Sequence, residues 1–187
     1  MSLAPAKSLT YFARETKTKF MKSLLLIGFL FVLSLTVSAQ VKPYPQPDFS
    51  GVTMDGKKIS LSELRGKVVV INLWFVNCPK CLAEIKELNQ LVAQYRDNKE
   101  VVFLAPAASA RAQLVTFLKK NPFSFQVIPD STIMIIQKFG TPGKNGTVNI
   151  PFPMHYVIDR EGKVRVRVEG MAAVKEELRR QFTAKSD

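Results

Sequence analysis

The chain has 187 residues, of which 47% are hydrophobic and 22% charged, and 27 Lys and Arg side chains outweigh 15 Asp and Glu to give a net charge of +12. Two cysteines are too few for the disulfide framework of a small secreted scaffold. The basic residues are not interleaved with aromatic ones in the pattern of a nucleic-acid surface, so no nucleic-acid partner is expected. The charge instead indicates a solvated surface that favours acidic partners or anionic membranes.

Residues 1–39 are predicted to be an N-terminal extension followed by a secretory signal peptide. Met1–Lys22 is basic, Ser23–Val37 is apolar, and the small residues Ser38 and Ala39 follow at the exit. The apolar core is shorter than the roughly 20 residues that a spanning helix needs, although an uncleaved membrane anchor remains the alternative. Cleavage after Ala39 would leave residues 40–187 as one domain, a length sufficient for a single hydrophobic core.

The first part of this domain is expected to be a short β-hairpin. Val41–Pro47 is rich in proline and is expected to be poor in secondary structure. Asp48–Ser60 is interpreted as two short strands joined at an Asp-Gly turn. Leu61–Leu64 predicts a helical or turn connection, with Ser60 or Ser62 as its cap.

The most informative stretch joins a buried strand to an amphipathic helix. Val68–Leu73 is a β-branched and apolar run, typical of a central strand. Apolar residues at helical spacing then begin at Leu82. The predicted stripe comprises Ile85, Leu88, Leu91, Val92 and Tyr95. Between strand and helix lies Cys78-Pro79-Lys80-Cys81, which contains both cysteines of the chain.

This position favours redox chemistry at the cysteine pair. The first sulfur would lie at a helix N-terminus, where free N–H groups and the helix dipole stabilise a thiolate. Pro79 suits the first helical turn, and Lys80 adds a nearby positive charge. Half of a zinc site is an alternative, but there is no second cysteine pair and His155 is the lone histidine. An inert pair in the core is the other alternative, although it would not require a helix start.

The remainder of the chain predicts alternating strands and helices, and therefore an α/β fold with a central mixed β-sheet flanked by helices. The predicted strands are Glu100–Ala105, Phe125–Ile128, Met154–Asp159 and Lys163–Glu169, and the predicted helices are Ala110–Lys120, Thr132–Phe139 and Val174–Phe182. Thr141–Ile150 is expected to be a loop that either lines a substrate groove or decorates the surface.

These motifs resemble those of the TlpA/ResA-like thiol–disulfide oxidoreductases of the thioredoxin superfamily. The matching positions are Gly66-Lys67, Asn72-Leu73-Trp74, Cys78, Cys81 and Glu84. The resemblance implies a thioredoxin-like fold with an N-terminal β-hairpin addition. Two positions differ from the family pattern: Asn77 replaces the usual aromatic residue before the first cysteine, and Lys86 replaces a common proline. The second difference predicts a less kinked active-site helix.

A second matching stretch runs from Phe152-Pro153 to Asp159 and Lys163. The resemblance implies that Pro153 is preceded by a cis bond, faces the dithiol and leaves the backbone of Phe152 free to pair with an extended substrate. An ordinary trans proline at a strand edge is the alternative. The expected substrate-contacting residues are Trp74, Pro79, Lys80, Phe152 and Pro153.

Glu84 lies three residues after Cys81, so both side chains are predicted on one helix face. The apolar stripe on that face predicts a partly buried carboxylate, and the resemblance implies an acid that exchanges a proton with Cys81. A solvated glutamate is the alternative.

His155 is predicted to be a structural or surface residue on the strand face that it shares with Val157. The alternative is a copper ligand, as in the SCO-like metallochaperones of the same superfamily. A peroxiredoxin is disfavoured, because Phe75 stands where its reactive cysteine would need Thr or Ser.

The function implied by the resemblance is that of an exported thiol–disulfide oxidoreductase, in which Cys78 attacks a substrate disulfide and Cys81 resolves the mixed disulfide. The expected partners are disulfide-bearing envelope proteins, including apocytochrome c, and a membrane electron donor. A monomer without cofactor or metal is expected.

Overall fold

The structure, a computed structural model, describes residues 42–183, so the predicted signal peptide and its cleavage site lie outside the described residues. The strands are β1 (Tyr44–Pro45), β2 (Ser50–Val52), β3 (Lys58–Ser60), β4 (Val68–Leu73), β5 (Val101–Pro106), β6 (Gln126–Ile128), β7 (Thr141–Pro142), β8 (Val148–Asn149), β9 (Met154–Ile158) and β10 (Lys163–Val168). The α-helices are α1 (Pro79–Gln94), α2 (Arg111–Lys120), α3 (Thr132–Phe139) and α4 (Ala172–Thr183), and two 3-10 turns cover Ser62–Leu64 and Lys144–Gly146.

The main sheet has six strands in the order β1-β10-β9-β4-β5-β6. β4, β5 and β6 are parallel, whereas β9 runs antiparallel to β4, and β10 and β1 continue the antiparallel half. The predicted α/β fold with a central mixed sheet is therefore confirmed. Every residue of β4 is buried, as expected for a strand with a neighbour on each side and a covered surface on each face.

Side-chain alternation along β4 divides the core into two layers. Val68 and Val70 pack in the layer that contains buried residues of α1, α2 and α4. Val69, Ile71 and Leu73 pack in the other layer, with residues of the β2–β3 hairpin and α3. Leu88 and Leu91 of α1 are each 1% exposed, and truncation of such a leucine to alanine costs about 2–5 kcal/mol. These contacts fix α1, and with it the cysteine pair, on the sheet.

At the edges of the main sheet, the structure refines one prediction and corrects two. The proline-rich lead-in is not irregular throughout, because β1 pairs with Val164 and Lys163 of β10. Neither serine caps the 3-10 turn that begins at Ser62; its first backbone N–H donates instead to the carboxylate of Asp48, at 2.9 Å. The 141–150 segment forms the β7–β8 hairpin, and Val148 lies against Gly140 at the end of α3.

The turn between β9 and β10 approaches the start of β4. Gly162 has a φ of +77°, and a Cβ atom at this position would lie 0.8 Å from the Arg65 guanidinium. That guanidinium donates a 2.7 Å hydrogen bond to the carbonyl of Glu161, and the Arg160 carbonyl accepts one from Gly66. Glycine at 162 therefore permits both the backbone conformation and the close approach.

Candidate active site

The loop between β4 and α1 is anchored on the neighbouring loop that follows β5. The Val76 N–H donates to the hydroxyl of Ser109 at 3.0 Å, and the Ala108 N–H donates to the Trp74 carbonyl at 2.9 Å. The Cys78 N–H donates to the carbonyl of Phe75, which closes a tight turn before the helix. These bonds fix the direction in which the chain enters α1.

Cys78 and Cys81 form a disulfide, with their Cα atoms 5.2 Å apart. Cys78 is the N-cap of α1, and its sulfur accepts a hydrogen bond from the Cys81 N–H at 3.2 Å. Pro79 occupies the first helical turn, as predicted, and both Pro79 and Lys80 are exposed. The sulfur of Cys78 therefore lies where helix N–H groups stabilise negative charge.

The cysteines are covered more than their neighbours in sequence. Cys78 is 4% exposed and Cys81 is 2% exposed, whereas Asn77, Pro79 and Lys80 are exposed. A substrate that reaches Cys78 must therefore contact the residues around it.

The loop before β9 lies beside this junction. The Phe152–Pro153 peptide bond is cis, as the resemblance implied. The half-buried ring of Phe152 meets the half-buried ring of Phe75 edge to face, with centroids 5.3 Å apart. Phe75 belongs to the active-site loop, so this aromatic contact joins the two segments next to Cys78.

Glu84 is partly buried, as predicted, with 23% of its side chain exposed. Its Oε2 atom lies 2.9 Å from Nε2 of His155. His155 is completely buried, which rules out the surface position but agrees with a structural one. Its other ring nitrogen, Nδ1, lies 3.2 Å from the amide nitrogen of Asn72 on β4.

Sequence reasoning assigned no role to Asn72 or Ser109. A signal for Asn72 was present, because it is the lone polar residue in the apolar run of β4 and a buried amide requires a partner. Ser109 carried no comparable signal, since serine is common in loops.

Trp74 does not fit its predicted role as a substrate contact. It is 1% exposed and packs against Phe123 and Phe117, with ring centroids 5.2 and 5.6 Å away. Trp74 directly follows β4, and its side chain packs in the same core layer as Val68, Val70 and the two cysteines. Trp74 therefore supports the active-site loop from inside.

The copper-binding alternative finds no support in this geometry. Both ring nitrogens of His155 already have protein partners, Glu84 and Asn72. Across residues 42–183 there is also no group of three or more His, Cys, Asp and Glu side chains placed to hold a metal ion. In the same range no helix has both the length and the apolar character needed to cross a membrane.

A disulfide that caps a helix after the central parallel strand, beside a cis-proline loop, defines a thioredoxin-type thiol–disulfide oxidoreductase. Comparison with known proteins supports the same class of protein. A sequence model described as the AhpC/TSA family matches residues 44–167. The chain is 30% identical over 124 residues to the thiol-disulfide oxidoreductase ResA of Bacillus thuringiensis subsp. konkukian, covering 66% of this chain and 67% of the relative. It is 28% identical over 122 residues to the thioredoxin-like protein YneN of Bacillus subtilis, covering 64% and 66%.

Among solved structures, a thiol:disulfide interchange protein of the thioredoxin family from Chlorobium tepidum superposes with a TM-score of 0.58 at 28% identity, covering 71% of this chain and 89% of that one. The chain belongs to the AhpC/TSA family and, within the thioredoxin superfamily, to its TlpA/ResA-like thiol–disulfide oxidoreductases. The predicted fold and enzyme class are therefore confirmed.

Proposed function

We propose that the protein is an exported reductant of disulfides in proteins of the cell envelope, and that it is recharged by a membrane electron donor. The observation that carries this proposal is the disulfide between Cys78 and Cys81 at the N-terminus of α1. The relatives named thiol-disulfide oxidoreductase support the chemistry. Export and apocytochrome c as a substrate rest on the predicted signal peptide and on the family resemblance.

In the proposed reaction the thiolate of Cys78 attacks one sulfur of a substrate disulfide. A bond forms between Cys78 and that sulfur, the substrate disulfide breaks, and the other substrate sulfur leaves with the electron pair. The sulfur of Cys81 then attacks Sγ of Cys78 and displaces the remaining substrate sulfur as a thiol. The substrate gains two electrons, which the dithiol loses as it becomes the Cys78–Cys81 disulfide.

Residues around Cys78 are proposed to bind the substrate chain. Pro79 and Lys80 are exposed next to the sulfur, and Phe152 precedes Pro153 on the adjoining loop. The backbone of Phe152 makes no hydrogen bond to another of the described residues, so its polar groups are available to an extended peptide. Main-chain pairing of this kind gives affinity without demanding a particular sequence.

Glu84 is proposed to accept the proton that Cys81 loses when it attacks. Its carboxylate lies one helical turn after Cys81 and is partly buried. In Glu84→Gln we expect an intact fold, thiols that ionise at a lower pH because a negative neighbour is gone, and slower resolution at neutral pH. Thiol titration and turnover equal to those of the wild type would remove this role.

The experiment that tests the proposal compares single-cysteine variants. Cys78→Ser should abolish reduction of a disulfide-bridged peptide, whereas Cys81→Ser should accumulate a mixed disulfide between Cys78 and the peptide. Alkylation of the wild type should detect two more thiols per chain after dithiothreitol than before. If the thiols remain free in the presence of oxidant, or if Cys78→Ser retains turnover, the oxidoreductase proposal is wrong.

Export has its own measurement, because it depends on residues 1–39. Mass spectrometry of the protein from an envelope fraction should find a mature chain that begins at Gln40. A mature chain that retains Leu24–Val37 would instead support an uncleaved anchor.

A further inference from the structure

Two buried polar side chains and one partly buried carboxylate, from three different elements, form a chain of contacts. Asn72 on β4 and His155 on β9 are register partners in the sheet, and Glu84 reaches them from α1. His155 is 0% exposed and Asn72 is 1% exposed. The contacts are 3.2 Å from Asn72 Nδ2 to His155 Nδ1 and 2.9 Å from His155 Nε2 to Glu84 Oε2.

These contacts define the protonation of the imidazole. The amide nitrogen of Asn72 can only donate, so Nδ1 of His155 accepts and carries no proton. The ring proton of a neutral imidazole then resides on Nε2, from which it is donated to the carboxylate of Glu84. His155 therefore orients the acidic group that lies nearest to Cys81 along the helix.

The amide of Asn72 can also form a hydrogen bond with the His155 imidazole when both ring nitrogens are protonated. Its Oδ1 atom is buried and has no hydrogen-bond partner among the described residues. Rotation of the amide by half a turn would direct Oδ1 at Nδ1, where it could accept a hydrogen bond from a doubly protonated ring. The pair can thus satisfy the imidazole whether it carries one proton or two.

Among the described side chains around His155, Glu84 is its charged partner. The register partner of His155 on β10 is Val168, and Val157 on the same face of β9 is apolar. α4 packs in the same layer, but its Lys175 pairs with Glu87 of α1 at 2.6 Å. Cys81 is the other titratable group of α1 on this side, and it is in the disulfide.

We propose that His155 is a positioning residue of the dithiol reaction, which holds the Glu84 carboxylate ready for the Cys81 proton and, together with Asn72, shares that proton once it has left the thiol. This inference rests on the proposed function.

When the Cys81 thiol is deprotonated, the proton passes to Glu84, which lies in hydrogen-bond contact with His155. The Cys81 sulfur bonds to Cys78 Sγ, and the bond from Cys78 to the substrate sulfur breaks. The electron pair leaves with the substrate, and no further oxidant or reductant is needed.

The first test uses the wild-type protein, because its single histidine gives one pair of imidazole nitrogen signals in NMR. With 15N-labelled histidine, we expect the oxidised protein to show the tautomer with its proton on Nε2. Reduction of the disulfide, and separately Glu84→Gln, should each shift both ring signals. A proton on Nδ1, or ring signals that neither change affects, would overturn the inference.

The second test measures resolution directly. The disulfide of thionitrobenzoate reacts with the reduced protein to give a mixed disulfide at Cys78 and one equivalent of the coloured thiol, and attack by Cys81 then releases a second equivalent, whose rate is measured. Glu84→Gln should slow this release by about a hundredfold at neutral pH, the low end for loss of a positioned acid–base group. His155→Leu should slow it by roughly tenfold, because the carboxylate remains but is no longer oriented. His155→Gln, whose amide can still donate to Glu84, should recover most of the rate.

A double-variant cycle separates positioning from a general loss of packing. In the Glu84→Gln background, His155→Leu should change the release rate by less than about twofold. Equal slowing in both backgrounds, or no slowing at all, would overturn the positioning role while leaving the oxidoreductase intact. Failure of the wild type to release the thiol would count against the proposed function itself. If His155→Leu does not fold, the NMR of the wild type decides.

Discussion

At the scale of single residues, Asp48 shows how one carboxylate organises the start of the domain. Its Oδ1 atom accepts hydrogen bonds from the N–H groups of Phe49, at 3.0 Å, and Ser62, at 2.9 Å. Asp48 is exposed, and although desolvation raises its pKa, these bonds, with those from the hydroxyls of Ser62 and Ser60, outweigh that effect and lower the pKa below the ordinary value. The ionised form is therefore the one that stabilises the fold.

Because the pKa of Asp48 is lowered in the folded protein, the free energy of unfolding depends on pH. The Asp48 carboxylate contributes fully to the free energy of unfolding above its unfolded-state pKa of about 4. This contribution is lost as the pH falls through the folded-state pKa, which is lower. We expect Asp48→Ala to cost about 1 kcal/mol of unfolding free energy at pH 7, as for a lost helix cap, and distinctly less in acid. Urea titrations at both pH values measure the difference.

Asp97→Ala, which removes a carboxylate that is 99% exposed, is the control. A constant difference between wild type and Asp48→Ala at all pH values would contradict the assignment.

The residue scale also shows where sequence reasoning stops. Alternation along β9 places His155 on the same face as Val157, as it does in the structure. Alternation cannot say whether that face is covered at position 155, because the cover comes from Glu84 on a helix that is 71 residues away in the chain. Trp74 illustrates a related point: proximity to Cys78 in sequence does not indicate whether the ring reaches the surface, and in the structure it is 1% exposed.

At the scale of elements, one side chain from α2 contributes several of the contacts that hold the β2–β3 hairpin to the domain. The guanidinium of Arg111 donates to the carbonyls of Thr53, at 2.9 Å, and Met54, at 3.1 Å. The Met54 N–H in turn donates to Val127 of β6 at 2.9 Å. Since β2 and β3 pair with each other and not with the main sheet, this attachment opposes local opening of the hairpin.

Removal of this side chain should loosen the hairpin selectively. In Arg111→Ala we expect amide hydrogen exchange in β2 and β3 to accelerate by roughly tenfold or more, because the charge-assisted bonds to the hairpin carbonyls, worth about 1.5–3 kcal/mol each, are lost. Exchange in β4 should not change. Arg96→Ala, at a position where the side chain is 78% exposed, should leave both regions as they were. Uniform acceleration across the domain would show that Arg111 supports global stability instead.

Element prediction succeeded where the local pattern and the tertiary environment agree. β4 has the predicted bounds because an unbroken apolar run suits a strand that is covered on both faces. α1 runs without interruption from Pro79 to Gln94, in agreement with the absence of proline at Lys86. β1 was missed because its two residues lie among prolines, and their pairing depends on β10 at the far end of the chain.

At the scale of the whole molecule, the charge excess should govern encounters with substrates. Residues 1–39 contain Lys7, Arg14, Lys17, Lys19 and Lys22 against Glu15, so most of the +12 charge belongs to the rest of the chain. A basic domain attracts acidic partners over a Debye length of about 10 Å at 0.1 M salt.

Two disulfide-bridged peptides, one flanked by glutamates and one by lysines, can reveal this effect. We expect the acidic peptide to be reduced faster at low salt, by about tenfold or more, and this advantage to shrink as sodium chloride is added. A small uncharged disulfide serves as the control and should show no salt dependence. Equal rates for both peptides at low salt would show that the charge is spread too evenly to steer a partner.

The short strand β1 has a further consequence for the behaviour of the protein in solution. An uncovered outer strand of a sheet offers unpaired N–H and C=O groups to other chains. Without β1, the outer strand would be β10, in which valines alternate with cationic residues. β1 occupies only the start of that edge, opposite Val164 and Lys163. Further along, the pairing of β10 with β9 shifts register between Val164 and Val166, and Arg165 turns toward Asp159 and Glu177. The two-residue cover, the irregular pairing and the cationic side chains of Lys163, Arg165 and Arg167 together discourage the sheet from extending into an intermolecular aggregate.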